Sequence, residues 1–197
     1  MATFTSQPFH ALSQMCLSLF DLGSPVGPFD LAEQMMDHES VAMHCPDHHF
    51  IVSAALLTAA RMSQGCEREQ LEHDLKTAAE RAAKVPGGFC GNCGCCGAAI
   101  GCGICAAILL DAAPKKQEHW ALCNHITALC LDRIATVEGP RCCKRVTYLA
   151  LSEIVERTPE LLGVDLGAVP TITCHRFANS KECKRKACPF FPVHAEE

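Results

Sequence analysis

Apolar residues recur at spacings of three and four along most of the chain, which is the period of an α-helix. The pattern predicts five main helices, over residues 46–64, 67–84, 98–111, 117–136 and 144–157. Residues 171–177 are typical of a short strand, and the last residues are irregular. We therefore expect a mostly α fold: a compact single-domain helical bundle with Gly/Cys-rich loops and an irregular C-terminal tail organised by metal.

Turn signals divide the chain near residue 40. Residues 1–40 hold weak helical patterns interrupted at residues 23–25 and 27–28 by glycine and proline, and they are predicted to form an N-terminal helical arm. Residues 41–197 contain nearly all the cysteines and are predicted to form a cysteine-rich helical metal-binding domain.

Cysteine is the unusual component, with 16 among 197 residues. Such a content indicates either a disulfide-linked secreted protein or an intracellular metal or redox protein. No Lys or Arg precedes Arg61, so the basic segment of a signal peptide is missing, and the longest uncharged apolar run, residues 51–60, is about half a membrane span. We expect a cytoplasmic metal or redox protein without a membrane segment.

Charge is distributed unevenly along the chain, whose net charge is −5. The first sixty residues carry six acidic side chains and no Lys or Arg, whereas residues 174–188 carry five basic side chains and one acidic one. The two regions either attract each other or leave the tail facing an anionic partner. An acidic protein with few aromatic residues is a poor nucleic-acid binder, so no nucleic acid is expected.

The densest motif is a glycine-rich loop over residues 86–97, with cysteines at Cys90, Cys93, Cys95 and Cys96. Closely spaced thiolates reach one metal or cluster from a single turn, and the loop leads into the amino end of a helix, where the dipole favours negative charge. Cys102 and Cys105 follow on the apolar helix, where packing explains them as well as metal binding does.

The tail carries a second set, Cys174, Cys183 and Cys188, the last followed by Pro189. A segment without regular structure has no core in which to pack three cysteines, and a bound metal would fold it. Three thiolates bind an iron–sulfur cubane and leave one iron without a protein ligand. Cys142 or Cys143 would supply the fourth ligand. Zinc sites prefer paired C-x2-C units, which this tail lacks, so iron–sulfur is favoured and zinc is the alternative.

Two further motifs lie at predicted helix starts. Cys142 and Cys143 stand among Arg141, Lys144 and Arg145, which favours thiolate through a lowered pKa and suits a ligand, a persulfide carrier or a nucleophile; a buried structural pair is the alternative. Cys45 and His48, three residues apart, are typical of two metal ligands or of a thiol–imidazole pair.

These motifs together resemble an uncharacterised cysteine-rich domain family found mainly in anaerobic bacteria and archaea. The resemblance covers roughly residues 40–192 and rests on Cys45-Pro46-x-His48, Pro86-Gly87-Gly88-Phe89-Cys90-Gly91, Cys96-Gly97-Ala98-Ala99, Gly139-Pro140-Arg141-Cys142-Cys143-Lys144-Arg145 and Cys183-x4-Cys188-Pro189. It implies an anaerobic setting with redox or one-carbon chemistry, and it implies a functional set of Cys45, Cys90, Cys96, Cys142, Cys143, Cys174, Cys183 and Cys188. The resemblance further implies that Cys93, Cys95, Cys102 and Cys105 are additions of this chain.

The leading functional hypothesis is an iron–sulfur protein of anaerobic metabolism, most simply of the 4Fe-4S type, with enough thiols for two clusters. It would act in electron transfer, or in sulfur or one-carbon chemistry at an open cluster site, with a redox or sulfur-transfer protein or a small anionic substrate as partner. A zinc-stabilised interaction domain and a soft-metal or metalloid thiol-binding protein are the alternatives. The sequence is compatible with an oligomer.

Overall fold

The computed structural model describes residues 8–192, and within them it contains nine α-helices, two 3-10 turns and no strand, as the mostly α prediction requires. In chain order the helices are α1 Phe9–Asp21, α2 Pro28–Met36, α3 Asp47–Gln64, α4 Arg68–Ala82, α5 Phe89–Asn92, α6 Gly97–Leu109, α7 Trp120–Ala135, α8 Cys143–Val155 and α9 Thr158–Leu162. The 3-10 turns cover Phe177–Asn179 and Arg185–Ala187 in the tail.

All five predicted helices are present, with small shifts at their ends. Gly65 ends α3 in the left-handed conformation (φ 62°), as its position predicted. The prediction of helix from residue 117 is wrong by one turn, because His119 has a left-handed φ of 61° and α7 starts only after it. The helix predicted to reach residue 157 ends at Val155, and a separate short helix follows.

The strand predicted over residues 171–177 is absent, and this segment has no regular structure. Its Cys174 N–H donates to the Phe190 carbonyl (2.7 Å), but no ladder of such bonds forms beside it. An extended segment becomes a strand only when a neighbouring strand satisfies its backbone groups, and none of the described residues supplies one. The irregular tail that was predicted is therefore longer than expected.

Helix α3 is the centre of the bundle and contacts α1, α2, α4, α6 and α8. It is buried on all sides from Phe50 to Ala60, a stretch that contains no charged residue. The close packing of α6 against α3 depends on glycine: a Cβ at Gly101 would lie 2.7 Å from the His49 carbonyl oxygen. The two helices therefore hold the loops at their amino ends in a fixed relation.

The first two helices pack onto this bundle. Leu12 of α1 and Leu31 and Met35 of α2 are buried in the same apolar cluster as Phe50 of α3. The division of the chain at residue 40 stays a prediction, and residues 1–7 and 193–197, the outer ends of the two predicted regions, lie outside the described residues. Over the stretch that is described, no helix combines the length and apolar character that crossing a membrane requires.

Candidate metal site

Three helices begin at one end of the bundle, and their amino ends surround a cavity of about 1040 Å³. The starts of α3, α6 and α8 contribute to its wall, with α5 at the rim and α7 along one side. Helix amino ends carry partial positive charge and unpaired N–H groups, so this end of the bundle favours anionic groups. Six of the predicted site residues line the cavity: Cys45, His48, Cys90, Cys96, Cys142 and Cys143.

The cysteines reach the cavity because each lies at the start of a helix. Cys96 is the residue that precedes the first turn of α6, and Cys142 has the same place in α8, where its Sγ accepts the Arg145 N–H (3.5 Å). Cys45 precedes Pro46 and α3, and its Sγ lies 3.3 Å from His48 Nδ1. Chain segments far apart in sequence thus bring their thiols to one surface.

Burial dominates the protonation of these thiols. It raises the pKa of Cys143 to about 11, although the backbone N–H of Cys45 and the charge of Arg141 act to lower it. Burial also raises the pKa of Cys45 to about 12, with a further contribution from the Asp47 carboxylate. The lowered pKa predicted from the basic neighbours of Cys143 is therefore wrong, because desolvation of the thiolate outweighs their attraction.

The tail cysteines form a second group on the other side of Cys142. Cys142, Cys174, Cys183 and Cys188 line a small cavity of about 20 Å³, which has room for about one water molecule. Aromatic rings cover it, with Tyr148 and Phe190 5.1 Å apart and Phe177 and Phe191 also 5.1 Å apart. The sequence predicted that Cys142 or Cys143 would join the tail set, and the structure places Cys142 there.

Hydrogen bonds fix the tail over this small cavity. Cys183 Sγ accepts the Arg185 N–H (3.4 Å), and Lys184 Nζ donates to the Gly139 carbonyl (2.8 Å) beside Cys142. Burial is the main cause that raises the pKa of Cys174, and the neighbouring thiols of Cys142 and Cys188 add to it. The four thiols therefore line one small cavity that the tail closes.

The spacing of the thiols distinguishes between kinds of cofactor. Within residues 8–192, three Cys, His, Asp or Glu ligand atoms lie within 4.8 Å of one another only at Glu33, Asp37 and His175. No three cysteine sulfurs come that close, whereas a tetrahedral zinc with Zn–S distances of about 2.3 Å holds its sulfurs about 3.8 Å apart. The arrangement is wider than a single-ion site. Free thiols are the donors that an iron–sulfur cluster requires.

The Glu33–Asp37–His175 group already has a cation. Arg176 Nη2 lies 2.6 Å from Glu33 Oε2 and 2.7 Å from Asp37 Oδ1, and Nη1 donates to the Tyr148 hydroxyl (2.8 Å). Burial alone would raise the pKa of Asp37, but the charge of Arg176 and hydrogen bonds from His175 and Arg176 lower it. This network attaches the tail to α2 and α8, two residues after Cys174.

The remaining cysteines lie apart from both cavities. Cys93 is exposed and Cys95 is half-buried, and neither lines the large or the small cavity, so their assignment as ligands stays a prediction. Cys102 and Cys105 are buried in the core, where burial raises the pKa of Cys105. All sixteen cysteines are free thiols.

Sequence reasoning missed two buried cations beside the thiols. Lys144 is 2% exposed, and its Nζ donates to the Met36 carbonyl (3.0 Å). Arg145 is 4% exposed and donates to the carbonyls of Pro140 (2.6 Å) and Glu138 (3.4 Å), while its Nε has no partner. Within the described part of the chain neither cation pairs with a carboxylate. Only their place next to Cys142 and Cys143 in the sequence could have drawn attention to them.

The cysteines of both cavities lie in the part of the chain that matches a known family. The match is to the family of unknown function DUF5714 and extends over residues 14–191, which include every residue of both cavities. Comparison with curated proteins and with solved structures finds no significant match to either. Because the match covers most of the chain and agrees with the resemblance of its motifs, the chain belongs to the family DUF5714.

Proposed function

We propose that the protein is an iron–sulfur protein that binds a 4Fe-4S cluster through Cys142, Cys174, Cys183 and Cys188. The observation that carries the proposal is the convergence of these four thiols, from three separate segments, on one small cavity. Four thiolates are the usual ligands of such a cluster. The cytoplasm, which keeps thiols reduced, is the compartment that suits this chemistry.

The spacing of the tail cysteines along the chain favours the cluster over zinc. Zinc sites prefer paired C-x2-C units, and the tail cysteines lack them, because eight residues separate Cys174 from Cys183 and four separate Cys183 from Cys188. No three of the four sulfurs lie within 4.8 Å of one another. Zinc is the second candidate because four cysteines around a small closed space are also the ligand set of structural zinc sites.

The surroundings of the tail site support a role in electron transfer. The bound cluster would supply reversible one-electron chemistry, and all four of its ligands would come from the protein. Aromatic side chains limit the access of water, and the exposed basic residues Lys181 and Arg185 of the tail suit an acidic redox or sulfur-transfer partner.

The large cavity beside the tail site supports sulfur or one-carbon chemistry on a small anionic substrate as the wider role. Arg141 lies exposed at its wall, and the amino ends of three helices point toward it. These groups would bind a negatively charged substrate without any further residue. The anaerobic setting implied by the family resemblance agrees with a role for an oxygen-sensitive cofactor.

The test is metal and sulfide analysis of protein purified without oxygen, together with its visible and electron paramagnetic resonance spectra. We expect brown protein with matched iron and sulfide of at least about four each per chain. Cys183→Ser and Cys188→Ser should each lose about four iron atoms, whereas Cys66→Ser, at the far end of α3, should lose none. Colourless protein that contains zinc, or full iron content in both tail variants, would refute the proposal.

A further inference from the structure

A second group of four thiols lies at the wall of the large cavity, separate from the tail site. Cys45 lies just before α3, Cys90 in α5, Cys96 just before α6 and Cys143 at the start of α8, and all four line the cavity. Segments that are far apart in sequence therefore bring four thiols to one wall.

Helix amino ends and a cation lie at these thiols, as they would at thiolates. Cys96 directly precedes the first turn of α6 and Cys143 is the first residue of α8, where free backbone N–H groups favour negative charge. Lys144, next to Cys143 in the sequence, is buried without a carboxylate partner among residues 8–192. A buried cation is costly unless a negative charge compensates it, and metal-bound thiolates would do so.

His48 gives an independent indication of a ligand. It is 1% exposed and lines the cavity; its Nδ1 lies 3.1 Å from the Cys45 carbonyl oxygen and 3.3 Å from Cys45 Sγ, and its Nε2 has no partner. When Nδ1–H donates to the carbonyl, Nε2 keeps an unpaired acceptor inside the protein, which is costly unless something binds there.

We infer that Cys45, Cys90, Cys96 and Cys143 bind a second iron–sulfur cluster, which faces the large cavity. The inference rests on the proposed function, because it assigns to the same protein a second cofactor of the same class. As in the tail, no three of these sulfurs lie within 4.8 Å of one another, so the set is wider than a single-ion site.

The two clusters would differ in whether a small-molecule substrate can reach them. The tail cavity of about 20 Å³ has no room for a substrate, whereas the cavity of about 1040 Å³ admits a small molecule to the second cluster. Cys142 and Cys143 are adjacent in sequence and would each bind one cluster. An electron that leaves one cluster would therefore reach the other over a short distance, and the tail cluster would supply or accept the electrons used at the cavity.

The test compares two double variants of the full chain, purified without oxygen and analysed for iron, sulfide and paramagnetic signals. Cys96→Ser/Cys143→Ser should lose about half of the iron and keep the signal of the tail cluster. Cys183→Ser/Cys188→Ser should lose the other half and keep the signal of the cavity cluster. Cys66→Ser should keep all of it, and circular dichroism shows whether each variant folds.

Cys96 and Cys143 are buried, so Cys90→Ser, at the half-buried rim of the cavity, is the second variant if the double variant does not fold. Full iron content in the cavity variants, with complete loss in the tail variants, would overturn the second cluster and leave the proposed function intact. Complete loss in the cavity variants alone would overturn the tail assignment and leave the cavity cluster. Zinc in place of iron throughout would overturn both.

Discussion

Replacing Arg176 with alanine should release the tail from the helical body. The Arg176 side chain is 5% exposed and forms ion pairs with Glu33 (2.6 Å) and Asp37 (2.7 Å) in and after α2. It also donates to the Tyr148 hydroxyl (2.8 Å) and to the Glu33 carbonyl (3.1 Å). Because Cys174 stands two residues earlier, this single side chain holds one of the proposed cluster ligands close to the helical body.

The expected loss of stability is about 3 kcal/mol. Removing one partner of a buried ion pair costs about 3–5 kcal/mol, because the other charge is left without a partner. The lower end applies here, since Glu33 is 29% and Asp37 is 52% exposed and water will partly solvate both once Arg176 is absent. For a chain of this size, about 3 kcal/mol corresponds to a fall of roughly 6–12 °C in the unfolding midpoint.

Thermal unfolding without oxygen at a fixed scan rate measures this fall, and amide hydrogen exchange over residues 171–192 measures the release of the tail. Arg176→Lys keeps the charge but loses the planar guanidinium contacts, so its midpoint should lie between those of wild type and Arg176→Ala. Tyr148→Phe removes one hydroxyl and should cost about 1 kcal/mol. A change in midpoint of less than about 2 °C in Arg176→Ala, with tail exchange unchanged, would show that this network does not hold the tail.

Three further predictions concern the cofactor and the packing around it. Removal of iron with an oxidant and a chelator should expose residues 171–192 to protease while the helical circular dichroism is kept, because this segment has no regular structure; full protection of the metal-free tail would contradict it. Gly97→Ala should lower stability by about 1–3 kcal/mol in urea unfolding, since its Cβ would lie 2.0 Å from His49 Cδ2. Gly91→Ala, with nothing within 4 Å, is the matched control, and equal effects would refute the packing argument. Arg145→Met should lower the reduction potential of the cluster in a redox titration, because a buried cation stabilises the more negative reduced state; an unchanged potential would contradict it.

The local sequence pattern was sufficient for most helices. Helical periodicity and end signals depend on residues within a turn or two, so α3, α4 and α6 follow from apolar spacing and from stops such as Gly65. The strand predicted over residues 171–177 does not form, because a strand, unlike a helix, requires a hydrogen-bonding partner elsewhere in the chain. The left-handed His119 that delays α7 had no signal in the pattern.

The sequence by itself determined which residue types could bind a metal and which of them lie within reach of one another inside a segment, such as Cys183 and Cys188. Only the tertiary structure decided that Cys142 lines both cavities whereas Cys143 lines only the large one, since this depends on how the start of α8 meets distant segments. It also decided that burial outweighs basic neighbours in raising the pKa of Cys143. Desolvation is set by every group packed around a side chain, and most of those groups are remote in sequence.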